Sequence, residues 1–288
     1  MMGGRTCLIT GSTSGIGKEL ALGLARMNAN VVLVGRSRAK CEETVQEIIR
    51  RAEGSDVSRN QISYLVGDLS SQASVRQLAS EFMATRQRLD ILLNNAGVFL
   101  ARHTATVDGI EGMLAVNHLA PFLLTNLLLE KIKQSRPSRI ITTSSIAHKG
   151  AHVDFDDIQF ERRHYNGIRA YGQSKLANIL FTKELARRLA GSGVTANCFH
   201  PGGVRTNLAG ENPWYYRLIW TIISPFLISP EKGADTGLYL ASSPSLEGVT
   251  GKYFVKRSEV SPSSEANDQE AARRLWKVSE ELTNLSRT

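Results

Sequence analysis

Cysteine is scarce in this chain. Cys7, Cys41 and Cys198 stand far apart, none at the spacing of a metal-ligand or redox pair. That excludes a disulfide framework or a zinc ribbon, and the three thiols read as small apolar groups packed inside; no metal site is expected. Blocks of like charge are also missing, although 35 Lys+Arg against 27 Asp+Glu leave a net charge of +8. A basic balance can serve nucleic acid or an anionic membrane. Here, however, the paired arginines (Arg50 and Arg51, Arg162 and Arg163, Arg187 and Arg188, Arg273 and Arg274) are dispersed and have no interleaved aromatics. They read as solvated helix faces, and no nucleic-acid partner is expected. Nor is there an uninterrupted apolar run of roughly 18 residues or more, so no spanning helix is expected. Residues 1–5 lead straight into an apolar strand without a signal-like h-region, which favours a cytoplasmic location. One stretch stands apart: residues 214–228, WYYRLIWTIISPFLI, are aromatic and apolar, broken by Arg217 and Pro225.

What is present is an ordinary globular composition, 42% hydrophobic and 22% charged over 288 residues. A single domain of that length buries most of its apolar surface without staples. Short β-branched runs at 6–10, 31–34, 62–66, 91–93, 139–143, 195–199 and 252–255 read as strands. Between them, apolar residues recur at three- and four-residue intervals, as at Ile16, Leu20, Leu24 and Met27. Continuous apolar strands alternating with helices predict an α/β protein: one doubly wound Rossmann-type domain whose mostly parallel, seven-stranded sheet carries helices on both faces. Its core is expected over about 5–255. Residues 258–267 then read as a polar, mobile connector, followed by a final helix over about 269–285. There is no internal repeat or low-complexity tract.

The first strand runs into Thr10-Gly11-Ser12-Thr13-Ser14-Gly15-Ile16-Gly17 and then a helix. Glycines at such a turn let the backbone approach a pyrophosphate, and the helix N-terminus offers it free N–H groups. Gly11, Ser14, Gly15, Ile16 and Gly17 are therefore candidate cofactor contacts. The spacing is TGxxxGxG rather than GxGxxG. Together with three elements further along the chain, it resembles the short-chain dehydrogenase/reductase family, over roughly residues 5–255. Asn94-Asn95-Ala96-Gly97 after the fourth strand resembles that family's NNAG element, implying cofactor contacts from Asn95, Ala96 and Gly97. Asp68-Leu69 resembles its adenine contact. The turn His200-Pro201-Gly202-Gly203-Val204 with Thr206 resembles its nicotinamide-side element, which implicates Pro201, Gly202, Val204 and Thr206.

The second strand ends Val34-Gly35-Arg36-Ser37-Arg38, without the acid that usually meets a free ribose 2′-hydroxyl. A guanidinium there can grip a 2′-phosphate through forked, charge-assisted hydrogen bonds. Arg36, with Lys18 adding charge, thus favours NADP(H), while NAD(H) stays open.

Tyr171 and Lys175 lie four apart at the start of an amphipathic helix, so both can meet one ligand. They match the family's YxxxK pair, which implies that Tyr171 is the general acid/base and that Lys175 tunes it and clamps the cofactor. A nearby ammonium, together with the positive charge of oxidised nicotinamide, is expected to lower the phenol pKa from ~10. The fifth strand ends Thr142-Thr143-Ser144-Ser145. By resemblance Ser145 hydrogen-bonds the substrate oxygen, with Ser144 as the substitute. The gap to Tyr171 is longer than in many members because of an insertion at 146–170. Asn117 resembles the asparagine of the family's water-mediated proton relay. His118 is expected to be structural, and His148 is given no chemical role.

The insertion, the run 170–178 and the segment 229–234 resemble the retinol dehydrogenase-like branch. That branch includes WW-domain oxidoreductases and is similar to light-dependent protochlorophyllide reductases. The resemblance implies an apolar carbonyl or alcohol substrate of retinoid, steroid or aliphatic type. It also implies a variable substrate lid over about 207–230. Residues 214–228 would equally suit peripheral contact with a membrane or a partner. Many retinol dehydrogenases carry an N-terminal membrane anchor; a chain starting at its first strand is not expected to share that location. Self-association as a homodimer or homotetramer follows by analogy only. The competing reading from another class is a non-catalytic NADP(H)-binding regulator or scaffold, against which the full set Asn117, Ser145, Tyr171 and Lys175 argues.

Overall fold

The computed structural model describes residues 2–52, 61–205 and 227–285. Strand β1 (Thr6–Thr10) is buried along its whole length. Because side chains alternate across a strand, Leu8 enters one apolar layer while Cys7 and Ile9 enter the other. Chain order continues through α1 (Gly15–Arg26), β2 (Asn30–Gly35), α2 (Arg38–Arg51), β3 (Ile62–Val66), α3 (Gln72–Thr85) and β4 (Ile91–Asn94). Helix α4 (Gly112–Gln134), β5 (Ser138–Thr143), α5 (Gly167–Arg188) and β6 (Val194–His200) come next. The last elements are α6 (Pro230–Ser242), β7 (Tyr253–Val255), β8 (Ser258–Glu259) and α7 (Gln269–Leu282).

The sheet order is β3-β2-β1-β4-β5-β6-β7-β8. All pairs are parallel except β7 with β8. The sheet therefore has eight strands among the described residues, not seven. The extra one is a two-residue antiparallel return whose polar sequence, Ser-Glu, carries no strand signal. Order reverses between β1 and β4, and the crevice beyond their carboxyl ends is where a doubly wound sheet binds ligands.

Helices α3, α4, α5 and α7 pack on one face and α1, α2 and α6 on the other. Helix α4 is apolar enough to cross a membrane, but 78% of its most apolar window is buried; it is a core helix. The three thiols are buried and free. Burial pushes Cys198 up to about 12, which makes it a poor nucleophile.

Two expectations about the chain's later part need correction. Residues 258–267 are not a loose connector. They form β8 and a 3-10 turn at Glu265–Asn267, with Ala266 fully buried and Asn267 held by Lys183 of α5. Trp276 of α7 then lies 4.9 Å from Phe122 and stacks on Phe181 at 5.9 Å. Such pairs add about 0.5–1.5 kcal/mol each beyond area burial. Arg162 and Arg163 are not on a helix: Arg163 pairs with Asp154 at 2.7 Å and covers the Phe160 ring at 3.8 Å.

Candidate functional site

A cavity of about 740 Å³ opens at the switch point. At one end it is walled by backbone. Gly11 has φ +64° and Gly15 φ +53°, a left-handed conformation that costs glycine little. A Cβ on Gly17 would stand 2.3 Å from the Gly11 carbonyl oxygen and 2.6 Å from Asn95 Nδ2. Turn, helix and β4 end thus meet at a distance only glycine permits. Thr10 Oγ1 accepts the amides of Asn95 and Ala96, both at 3.0 Å, tying the NNAG segment to β1. Ser12 fastens the turn to Val34 of β2. Ser14, Gly15, Ile16 and Gly17 open the α1 N-terminus onto the cavity. This is a cradle for an anion.

Arg36, Asp68 and Leu69 form the adjoining rim. Lys18 does not. Its ammonium contacts both carboxylate oxygens of Glu47 at 2.8 Å, and it does not line the cavity. The pair forms because Lys18 lies in the first turn of α1 opposite α2, which the motif spacing could not reveal. Lys40 and Ser37, one turn into α2 and at its cap, line the rim instead, as does Thr13.

The opposite end is made of side chains. Ser145, Tyr171 and Lys175 line the cavity together. Lys175 Nζ lies 5.4 Å from the Tyr171 ring centroid and 3.4 Å from the Thr143 carbonyl oxygen. Burial pushes the Tyr171 phenol up to about 12, opposed by a hydrogen bond with the Ser145 side chain. It also pulls Lys175 down to about 8. The chain's own groups therefore leave the phenol raised: desolvation outweighs the Ser145 hydrogen bond. Ser144 lines the cavity as well, but its hydroxyl is buried and donates to the Lys175 carbonyl at 2.7 Å.

Asn117 sits in a π-helical turn of α4, Ala115–Leu119, a bulge type common at functional sites. Its amide is occupied: Oδ1 accepts from Val98 N at 2.8 Å, and Nδ2 donates to Val98 O and Ser174 Oγ at 3.0 Å. It does not line the cavity. A Cβ on Gly97 would stand 3.3 Å from both Asn117 Oδ1 and Lys175 Nζ, so the NNAG glycine joins the two. On the last turn Pro201, Gly202 and Val204 line the cavity, and Thr206 lies outside the described residues.

The model of the family described as short chain dehydrogenase matches residues 5–213. Human retinol dehydrogenase 13 is 44% identical, with 98% of this chain and 85% of that protein aligned. This chain is a short chain dehydrogenase. It is an oxidoreductase of the retinol dehydrogenase-like branch and binds a nicotinamide cofactor to act on a small molecule. Among solved structures, an uncharacterized Mycobacterium paratuberculosis protein has a TM-score of 0.78 and 33% identity, covering 98% of this chain and 94% of that one. The RhlG/NADP active-site complex of Pseudomonas aeruginosa has a TM-score of 0.67 and 26% identity, covering 88% and 94%.

In this dehydrogenase the insertion at 146–170 braces a wall of the cavity and lines it through Ile146. Glu111 is buried, caps the start of α4 through the amides of Met113 and Leu114, and accepts the Tyr165 hydroxyl at 2.9 Å. That bond ties the insertion to the stretch between β4 and α4, whose Leu100, Thr104, Ala105 and Thr106 line the cavity. Ile146, His200 and Leu227 complete it. Apart from His200, which belongs to the last turn, none of these lining residues stands out in the sequence, because isolated apolar and hydroxyl residues in loops carry no spacing signal. Residues 227–230 are the described part of the expected lid, with Ile228 bridging to Val204 and Ser229 capping α6. The remainder, including most of 214–228, lies outside the described residues.

Proposed function

We propose that this dehydrogenase uses NADP(H) to interconvert an apolar aldehyde or ketone and its alcohol. The observation that carries the reading is the convergence of Tyr171, Lys175 and Ser145 on a cavity whose other end is an anion cradle. Gly11 to Gly17, Asp68, Leu69, Asn95 to Gly97 and Pro201 to Val204 would hold the dinucleotide, and the glycine cradle fits a pyrophosphate. Bound, the cofactor supplies or takes the hydride at the substrate carbon. Arg36 and Lys40 would hold its 2′-phosphate, and RhlG, with 26% identity, was solved with NADP. Leu100, Ala105, Val116, Ile146 and Leu227 offer an apolar wall to the substrate, in keeping with a retinol dehydrogenase relative at 44% identity.

The chain's own part is proton transfer and orientation. Ser145 donates to the substrate oxygen as charge builds on it. Tyr171, kept protonated by burial, gives its proton to that oxygen as the C–O double bond becomes single, and takes it back in the oxidation direction. Lys175 would hold the nicotinamide ribose and offset the phenolate left behind. Asn117 positions Val98 and Ser174 around this pair.

The test is consumption of NADPH against nonanal, all-trans-retinal and a steroid ketone, with Tyr171→Phe alongside. Turnover that depends on Tyr171 supports the reading. Equal rates from both proteins would sink it.

A further inference from the structure

Two candidate site residues have a histidine close by, and both histidines are fully buried. Each reaches the C-terminal segment beyond β7. His118, next to Asn117, contacts Ser279 Oγ of α7 at 2.9 Å. The Ser279 hydroxyl already donates to the Leu275 carbonyl at 2.7 Å, so the imidazole is the donor. Burial pushes His118 down to about 4, keeping it neutral.

His148 is tied more closely to the chemistry. Ser145 leaves β5 extended, and its hydroxyl accepts the Ala147 amide at 3.2 Å. The next turn, Ile146–His148, brings the His148 ring back to the Ser145 carbonyl, with Nδ1 at 2.7 Å. At the far side of the ring Nε2 accepts the Ser263 amide at 3.2 Å. Both partners are backbone groups of fixed polarity: a carbonyl can only accept and an amide N–H can only donate. The neighbours therefore dictate one tautomer, neutral with the proton on Nδ1. Tyr253 of β7 meets the ring edge to face at 5.0 Å. The turn is also pressed against α5, since a Cβ on Gly172, adjacent to Tyr171, would lie 2.8 Å from the Ala147 carbonyl oxygen.

We propose that His148 is a positioning residue for the reaction. By bridging the Ser145 carbonyl and the Ser263 amide, it sets the direction of the Ser145 hydroxyl and makes the segment 258–267 part of the active site. This role for His148 rests on the proposed role of Ser145 as the donor to the substrate oxygen. With the carbonyl clamped from below, the residue's rotation is restricted and its hydroxyl points toward Tyr171. A proton on Nε2 would replace the acceptor with a second donor and expel the Ser263 amide. Lys149, Glu265, His200 and the Tyr253 hydroxyl are the titratable groups facing the ring.

The test compares four variants with the parent, using NADPH and whichever of nonanal, all-trans-retinal and the steroid ketone turns over fastest. His148→Phe keeps the ring against Tyr253 and removes both hydrogen bonds. It should lower kcat by about 10- to 100-fold, the scale of a catalytic group displaced by an ångström, with KM for NADPH within about twofold. His148→Asn, whose amide nitrogen can take the place of Nδ1, should recover most of that loss. Ser263→Pro removes the amide proton, together with the Ser263 hydroxyl and some backbone freedom, and should lower kcat in the same direction. Combining His148→Phe with Ser263→Pro should cost no more than the worse single change, because they break one linkage.

Long-range nitrogen-15 NMR of the parent gives an outcome that needs no variant to fold: His148 protonated on Nδ1 supports the bridge, and protonation on Nε2 overturns it. An unchanged kcat in His148→Phe overturns the proposal. So does a loss shared equally by His148→Asn that follows the melting temperature alone. If Ser145→Ala and Tyr171→Phe keep full activity, the reading of the site itself fails and this proposal falls with it. If only His148→Phe keeps it, the proposal alone fails.

Discussion

The phosphate end of the cavity and its catalytic end are built by opposite means. At the phosphate end the wall is main chain from consecutive residues at strand ends, and the charged side chains around it, Arg36 and Lys40, are exposed. At the catalytic end Ser144, Lys175 and Asn117 are nearly or wholly buried, and their partners come from distant segments. A main-chain cradle needs only correct local turns. A set of desolvated side chains needs the surrounding structure to supply every hydrogen bond, since an unpaired buried group costs about 1–3 kcal/mol. The two ends should therefore fail differently when perturbed.

The largest effect is expected at the catalytic end. Tyr171→Phe should lower kcat by about 10²–10⁴-fold, the usual contribution of a general acid, while leaving cofactor binding by fluorescence quenching nearly intact. A parallel loss of cofactor affinity would blur the distinction between the ends. Gly17→Ala should act in reverse. Its methyl group has no room against Gly11 and Asn95, so cofactor affinity should fall by more than about tenfold, with a lower melting temperature. Arg36→Asp should swing the NADPH-over-NADH preference in kcat/KM by about 10- to 100-fold, as expected for losing charge-assisted hydrogen bonds of about 1.5–3 kcal/mol. An unchanged preference would remove the 2′-phosphate from that rim.

Acid should separate the ends more gently. Burial lowers His118 and His200 to about 4 and lowers His148 as well, so the folded protein favours their neutral forms. Their contribution to stability is complete above the unfolded value near ~6.5 and is lost as pH falls toward the folded values. The melting temperature should drop between about pH 6 and 4, and kcat should fall before cofactor affinity does. Smallest of all is Lys18→Ala. Its ammonium is spent on Glu47, and the cofactor preference should shift by less than about twofold, the scale of an exposed pair.

Legibility in the sequence divides along the same line. The TGxxxGxG turn, NNAG and YxxxK can be read because each places its functional groups within a few residues, where chain geometry alone brings them together. Strand positions 6–10 match the observed bounds for a similar reason: a fully buried strand shows as an apolar run. The bounds 62–66 also match, although β3 is only partly buried. Lys18 misleads because a position next to the motif says nothing about α2, packed opposite, with Glu47 waiting. Lys40 escapes notice because no local pattern marks it. The segment 258–267 looks loose because its anchors, Lys183 and His148, are far away in sequence.

The sequence by itself determined the α/β alternation, the glycine cradle and the spacing that puts a phenol and an ammonium on one helix face. Those are consequences of short-range periodicity and of the conformations single residues allow. Only the tertiary structure decided that the Ser144 hydroxyl is spent on the Lys175 carbonyl, that burial keeps Tyr171 protonated, and that two buried histidines join the site to the C-terminal segment. Each depends on which groups are brought together from afar and on how much water they exclude.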